Sequence, residues 1–223
     1  MSTRSTQQRL RLRYAQQGTL RFVGHLDITK IWERILRRAE LPLEYSRGFN
    51  PRPRLQVAAG LPLGASSAAE ALDVWLEAPV WPSDDLRPRL QAVAPRDLTL
   101  LSAEAVPIQA PALPMLAHSA TYQVRPLPPA RFPEGLPAQI TALLQADQLL
   151  RQRKRKTYDL RPLILGLGQP AEQMLEMQLS LGEGRTGRPD ETLAALGLAE
   201  VPVQIHRSAL ELATTLLEQD HQE

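Results

Sequence analysis

Two hydrophobic periods follow one another near the start of the chain. Residues 9–14 alternate polar and apolar side chains, which is the period of a half-buried β-strand. From Ile28 to Ala39 the apolar residues recur three and four positions apart, so they lie along one stripe of an amphipathic helix. Asp27 is the predicted N-cap of this helix, and Pro42 is expected to follow its end. This part of the chain is therefore predicted to be a strand followed by a helix.

Further strands and one helix are predicted in the rest of the first half. The strands fall at residues 55–58, 69–77 and 98–103, and a helix begins at Leu86. The order strand, helix, strand, strand, helix, strand is that of a ferredoxin-like unit. Residues 107–117, which are rich in Pro and Ala, are expected to be the linker that follows this unit.

The second half repeats the same order more loosely. Strands are predicted at residues 120–125, 149–157, 174–181 and 201–205 and from residue 160 onward, helices at 135–144 and 189–196, and an added helix in the tail at 210–217. The expected fold class is α+β, with two tandem ferredoxin-like (βαββαβ) units whose antiparallel sheets carry helices on one face. The first unit would span residues 1–106, and the second, looser unit would span residues 118–223.

The composition narrows the class of protein. None of the 223 residues is cysteine, which excludes disulfides and cysteine-ligated zinc or iron–sulfur clusters. The four histidines are far apart in sequence, so no metal site is predicted and no cofactor is expected in this chain. The polar N-terminus has no secretory signal, and no apolar run approaches the roughly 20 residues of a membrane helix. We therefore expect a cytoplasmic protein with no membrane contact.

Charge is distributed unevenly along the chain. The formal net charge is +2, but residues 1–60 carry +8 and residues 151–161 carry +5, while the remainder carries −11. This polarity predicts an anionic partner. Of the 26 basic residues 23 are arginine, whose planar guanidinium binds phosphates and carboxylates through two hydrogen bonds. A GC-rich genome would explain the preference for arginine over lysine, but not the clustering.

The segment with the most distinctive composition is the Arg/Pro loop, residues 45–54, which reads YSRGFNPRPR. Its two prolines restrict the backbone, so the loop is expected to present its arginines to phosphates at little ordering cost. Phe49 or Tyr45 would either stack on a base or cap the core. An ordinary solvated loop is the alternative. With the polar face of the preceding helix, the candidate anion-binding residues here are Arg34, Arg37, Arg38, Arg47, Phe49, Asn50, Arg52 and Arg54.

A second basic segment lies in the other half of the chain. Five of the six residues at 151–156 are positively charged. On a hairpin they would form a patch that tracks a phosphate backbone, although charge runs of this kind are usually solvated faces. The candidate residues of this segment are Arg153, Lys154, Arg155, Lys156 and Arg161.

His25 is the candidate for catalysis. It lies at a junction between strand and helix, where an imidazole could act as a general base or bind a phosphate at the helix N-terminus. Alternatively, His25 has only a structural role, in which its side chain hydrogen-bonds within its own turn, and Asp27 caps the helix.

Five segments occur together in one order: FVGHLD at 22–27, the helix with Arg34, Arg37 and Arg38, the loop at 45–53, LPLG at 61–64 with Glu70, and KRKTYDLRPLI at 154–164. Together they resemble the radical-SAM-linked bacterial domain of unknown function. That family occurs as a stand-alone partner of a radical SAM enzyme or as a C-terminal fusion to one. The resemblance implies a radical SAM partner that carries the iron–sulfur cluster and S-adenosylmethionine. The chain has no CxxxCxxC motif, so it is not expected to be that enzyme.

Three functions remain open from the sequence. The leading one is a non-catalytic accessory protein of a radical SAM enzyme that binds RNA or another phosphate-bearing substrate through a basic surface. An alternative is a metal-independent RNA-processing or RNA-modifying enzyme that uses His25 as its base. A further alternative is a protein-interaction module that docks on an acidic partner.

Overall fold

The computed structural model describes residues 6–153, 156–182 and 186–213. The chain has a mixed α+β fold with a large, mostly antiparallel sheet and few helices. It divides into two compact units: the first extends to Ala117, and the second is His118–Leu212. Within the described ranges, no helix has the length and apolar character needed to cross a membrane.

In its described residues, the first unit combines a four-stranded sheet with three α-helices. Its elements are the strands β1 (Gln8–Gln16), β2 (Leu55–Val57), β3 (Ser66–Leu76) and β4 (Leu98–Val106) and the helices α1 (His25–Arg38), α2 (Leu86–Val93) and α3 (Leu113–Leu116). Strand β1 pairs with both β3 and β4, and β2 pairs with β3. All of these pairs are antiparallel, so the strand order is β4-β1-β3-β2. The strands predicted at 55–58, 69–77 and 98–103 are confirmed.

The core of the first unit lies on the face of β1 that carries Leu10, Leu12 and Tyr14. Helix α1 covers this face with the predicted apolar stripe, whose buried members are Ile28, Trp32, Ile35, Leu36 and, at the C-cap, Ala39. Trp32 meets Tyr14 edge to face, with 4.9 Å between the ring centroids. Aromatic pairs of this geometry add stability beyond the area that they bury. The amphipathic helix predicted from the sequence is therefore confirmed.

The opposite face of β1 is also buried, and the expectation of a half-buried strand was wrong. Arg9 and Arg11 lie on this face, and their side chains bind Asp73 of β3 at 2.6 and 2.8 Å. Arg9 also donates hydrogen bonds to the carbonyl oxygens of Ala110 and Pro111. The charges are tolerated there because each one meets a counter-charge or a carbonyl.

Helix α1 begins earlier than the sequence predicts. Its N-cap is Gly24 and its first residue is His25, whereas Asp27 was the predicted cap. Asp27 lies inside the first turn instead, where its carboxylate accepts a hydrogen bond from Lys30 at 2.9 Å. A carboxylate in the first turn still favours the helix, because it faces the positive end of the helix dipole.

The second unit contains a four-stranded sheet and a separate hairpin. Its elements are the strands β5 (Ala117–Pro126), β6 (Leu150–Arg153), β7 (Lys156–Asp159), β8 (Ile164–Ala171), β9 (Met174–Ser180) and β10 (Val203–Leu212) and the helices α4 (Leu136–Gln145) and α5 (Pro189–Ala195). The sheet has the order β10-β5-β9-β8, and β6 and β7 pair with each other as a separate two-stranded sheet. Residues 210–212 end a strand and residue 213 is not helical, so the helix predicted to begin at residue 210 was wrong there, and residues 214–217 lie outside the described residues.

Candidate anion-binding surface

The Arg/Pro loop is closed at its base by two hydrogen bonds between Ser46 and Arg52. The amide of Ser46 donates to the carbonyl oxygen of Arg52 at 2.8 Å, and the amide of Arg52 donates to Ser46 Oγ at 3.1 Å. Tyr45 and Pro53 form an antiparallel bridge beside this pair. Residues 47–51, together with the exposed side chain of Arg52, are left as the tip. The base of the loop is therefore held by hydrogen bonds as well as by prolines, and these contacts fix the two ends of the tip.

Arg54 anchors the loop to the sheet. Its guanidinium binds the carboxylate of Glu44 at 3.1 Å and lies 4.5 Å from the ring centre of Trp75 on β3. The amide of Trp75 also donates to the carbonyl oxygen of Arg54 at 3.1 Å. The counter-charge and the ring contact hold this guanidinium at the loop's base. Arg54 is thus the loop arginine that the structure binds most firmly to the protein itself.

The tip of the loop presents its side chains to solvent. Arg47, Phe49, Asn50 and Arg52 are all exposed, and Phe49 reaches 107% of its reference accessibility. Gly48 has a φ of +154°, a backbone conformation that side-chain-bearing residues rarely adopt. Neither Arg47 nor Arg52 forms an ion pair with any residue that the structure describes. The tip therefore combines two available cations with an uncovered aromatic ring.

The exposed face of α1 adds three more cations. Arg34, Arg37 and Arg38 are exposed, and none of them has an ion-pair partner among the described residues. The guanidinium of Arg37 lies 5.8 Å from the ring centre of Tyr45, which places the end of this helix beside the base of the loop. Arg34 and Arg38 are one helical turn apart and border a surface groove between α1 and α2, whose floor is formed by Ile31, Ile35, Val93, Ala94 and Pro95.

These five side chains form what we call the unpaired arginines: Arg34, Arg37, Arg38, Arg47 and Arg52. They belong to one unit and to two adjacent segments of it. Clustered like charges without counter-ions repel one another and attract anions. Guanidinium groups bind phosphate or carboxylate oxygens through two parallel hydrogen bonds. The chemistry that this surface supports is therefore recognition of an anionic ligand.

His25 borders a small pocket at the start of α1. Tyr14, Gln16 and Glu70, which are buried, line the same pocket, and the imidazole lies beside Gly60. Its volume of about 10 Å³ holds one water molecule and excludes a nucleobase. The proximity of Tyr14 and Gln16 to His25 was not predicted from the sequence. The signal for this proximity was the position of Tyr14 and Gln16 at the end of β1. Only residues 17–24 connect that end of the strand to His25, so the chain stays close to it.

The chain matches a known family over most of its length. A family model described as "Uncharacterized protein conserved in bacteria (DUF2344)" matches residues 9–189. The chain belongs to this family. The description names no radical SAM enzyme, so the expected partner stays a prediction. A search of curated proteins found no match.

Among the solved structures to which the DUF2344 chain is similar is one described as "Structure of H/ACA RNP bound to a substrate RNA containing 2'-deoxyuridine". The TM-score is 0.41 and the sequence identity is 11%, over 92% of this chain and 47% of that one. The present chain thus spans about half the length of the chain it matches. At this level the likeness carries no functional argument.

The second basic segment of the DUF2344 chain is described only in part. Arg153, at the end of β6, is exposed and has no ion-pair partner in the ranges that the structure covers. Lys154 and Arg155 lie outside the described residues. The backbone of Lys156 begins β7, but its side chain is likewise not described. The predicted phosphate-tracking patch therefore stays a prediction.

Arg161 is held by the end of a helix. Its Nε and Nη2 atoms donate to the carbonyl oxygen of Leu144 at 3.2 and 2.8 Å, and Nη1 donates to that of Ile164 at 3.0 Å. Leu144 lies in the last turn of α4, where carbonyl groups lack helical partners and the dipole favours a cation. Arg161 is thus a helix-capping residue in this structure.

Proposed function

We propose that this chain is a non-catalytic binding protein that holds RNA, or another phosphate-bearing substrate, on the unpaired arginines for a partner radical SAM enzyme. One observation carries the proposal. Five exposed arginines of the first unit, none ion-paired within the described residues, lie on α1 and the adjoining Arg/Pro loop. The radical SAM partner rests on the sequence resemblance alone.

The distribution of counter-charges supports an external anion. Where the fold needs an arginine for itself, it supplies acceptors: Asp73 for Arg9 and Arg11, and Glu44 for Arg54. The unpaired arginines receive no such acceptor from the described residues. A phosphate backbone would supply it, and each bound phosphate would release counter-ions from the nucleic acid. Affinity should then fall steeply with salt.

The rigid base of the loop supports binding at low entropic cost. Two hydrogen bonds between Ser46 and Arg52 and the bridge between Tyr45 and Pro53 close the loop without any ligand. A surface that is already ordered loses less conformational entropy when a ligand arrives. The ligand would therefore order the arginine side chains but not the loop base.

We further propose that the two units are tandem ferredoxin-like repeats. The support is that the strand orders β4-β1-β3-β2 and β10-β5-β9-β8 correspond, with the β6–β7 hairpin as an addition to the second unit. Such a repeat would place the two basic segments at equivalent points of related scaffolds, because each lies between the first helix and the second strand of the sheet in its unit.

A second candidate is an RNA-processing enzyme that uses His25 as a base. The observation that favours it is that His25 and Glu70, a base and a carboxylate, line one pocket with room for a water molecule. Incubating RNA with the wild type and with His25→Ala separates the candidates. A cleaved or modified product that the variant fails to form would support the enzyme.

Titration of a short fluorescein-labelled RNA by anisotropy at several salt concentrations tests the binding proposal. Arg47→Ala with Arg52→Ala should weaken binding and reduce the salt slope by about 0.7 for each phosphate that is no longer bound. The matched control is Arg131→Ala, which removes an exposed arginine already paired with Glu172. Absence of RNA binding by the wild type, or an unchanged slope in the double variant, would sink the proposal. Capture of an acidic protein after nuclease treatment at low salt would favour the interaction module instead.

A further inference from the structure

Phe49 is the most exposed large hydrophobic side chain in the described part of the chain. Its relative accessibility is 107%, against 62% for Phe22 and 41% for Tyr45. A side chain that is fully exposed contributes no packing energy to its own fold. The closing contacts of the loop involve Ser46 and Arg52, together with the bridge at Tyr45, and none of them includes Phe49. Folding therefore gives no reason for an aromatic ring at this position.

The two aromatic residues of the Arg/Pro loop have different surroundings. Tyr45 is half exposed, and its ring lies under the guanidinium of Arg37. Phe49 has no ring contact or cation contact within the described residues. The sequence left open which of the two would stack on a base and which would cap the core. The geometry selects Phe49 as the ring available to a ligand.

Cations flank this ring at short sequence distance. Arg47 and Arg52 lie on either side of Phe49 at the tip, and both lack an ion-pair partner in the described ranges. Asn50 and Pro51 also lie between these arginines, and the 107% accessibility of Phe49 shows that neither covers the ring. An exposed aromatic ring two and three residues away from two available guanidinium groups suits a nucleotide, which offers a flat base and neighbouring phosphates.

An exposed ring that stacks on a base favours a single-stranded ligand over a duplex. In a duplex both faces of a base are already stacked, so a protein ring gains access only at an end or by unstacking. An unpaired base exposes its face and costs little to bind, and stacking tolerates any base because each has a π-face. We propose that the tip of the Arg/Pro loop binds a single-stranded segment of nucleic acid, with one base stacked on Phe49 and the adjoining phosphates on Arg47 and Arg52. This inference rests on the proposed function and makes its ligand specific.

The test compares a short single-stranded RNA with the corresponding blunt duplex by anisotropy. Phe49→Ala should weaken binding of the single strand by about fivefold or more, which is the lower end of base–aromatic stacking. Binding of the duplex and the salt slope for the single strand should not change, because every phosphate-binding arginine is still present. Phe49→Trp should retain the affinity of the wild type. The matched control is Phe22→Ala, an exposed phenylalanine of the same unit whose ring contacts Arg21.

A 2-aminopurine placed in the single strand reports the stacking directly. Its fluorescence should be quenched by the wild type and by Phe49→Trp, and not by Phe49→Ala. Unchanged affinity and quenching in Phe49→Ala would overturn the inference, as would equal binding of duplex and single strand by the wild type. Loss of a protein partner in Phe49→Ala, without loss of RNA, would show an anchor for protein and would also overturn it.

Failure of the proposed function gives a different result. If the wild type binds neither RNA, the basic surface is not a nucleic-acid site at all. If Arg47→Ala weakens binding while Phe49→Ala does not, the arginine surface stands and only the stacking inference fails. The two variants therefore separate the two claims in one set of titrations.

Discussion

Arg9 donates two hydrogen bonds to Asp73 Oδ2, from Nε at 3.0 Å and from Nη2 at 2.6 Å, and both side chains are buried. Arg11 donates to the same carboxylate, from Nε at 2.8 Å and from Nη2 at 3.0 Å. One negative charge thus meets two positive ones, and the carbonyl oxygens of Ala110 and Pro111 accept further bonds from Arg9. A buried cluster of this kind depends on every member, because removing a partner leaves a charge without compensation.

Replacing Asp73 with Asn removes the charge shared by Arg9 and Arg11 without changing the size of the side chain much. We expect the free energy of unfolding to fall by roughly 3–5 kcal/mol, because two buried guanidinium groups lose their counter-charge. Urea unfolding followed by circular dichroism measures the change. As a control, Glu172→Gln removes the exposed ion pair with Arg131 and should cost less than about 1 kcal/mol. Similar losses in the two variants would contradict this account.

Gly18 occupies a position that excludes a side chain. Its φ is +52°, and a Cβ there would stand 2.5 Å from the carboxyl group of Asp97. That carboxylate is fixed because it accepts hydrogen bonds from the amide and hydroxyl of Thr19 at 2.8 and 2.7 Å. Gly18→Ala should therefore lower the free energy of unfolding by at least about 1–2 kcal/mol. Gly168→Ala, where φ is not positive and the space is open, is the control, and an equal loss there would refute the steric explanation.

Helix α1 and the strands of the first unit could be predicted because the apolar residues of each follow one dominant period. The burial of the polar face of β1 could not be predicted in this way. Alternation of arginine with leucine indicates a face toward water, and nothing local shows that Asp73 lies across the sheet or that the segment at Ala110 covers it. The start of α1 was also predicted too late. Aspartate is a favoured N-cap residue, which pointed to Asp27, but the backbone of Gly24 already has the extended conformation of an N-cap.

The composition of the candidate surface could be predicted, but not the separate roles of its arginines. Proline and glycine are local signals, so the exposure of Arg47 and Arg52 at the tip follows from nearby residues. Arg54 is held by Trp75, and Arg161 by carbonyl groups at the end of α4. These partners are distant in sequence or belong to the backbone. A count of charges therefore cannot separate an arginine that binds a ligand from one that holds the fold.

His206 on β10 should make the second unit sensitive to acid. Burial lowers the pKa of His206 below its ordinary value of 6.5. As pH falls through that value the unfolded chain takes up a proton that the folded chain resists, so stability falls until the folded pKa is reached. We expect the free energy of unfolding to decrease over this window and the decrease to be smaller in His206→Gln. Urea unfolding across the window measures both, and an equally steep decrease in the variant would refute the assignment.

Binding and stability should separate within the Arg/Pro loop. Arg54→Ala removes the ion pair with Glu44 and the contact with Trp75, so it should lower the melting temperature and loosen the loop. Arg47→Ala with Arg52→Ala removes no ion pair in the described ranges, so the melting temperature should stay unchanged while RNA affinity falls. Because the ion pair of Arg54 with Glu44 is half exposed, its loss should lower the free energy of unfolding by no more than about 1 kcal/mol. Loss of the contact with Trp75 should add roughly 0.5–1 kcal/mol. Thermal unfolding and anisotropy on the same samples test the separation. A double variant that melts earlier than Arg54→Ala would contradict it, because the tip arginines would then support the fold.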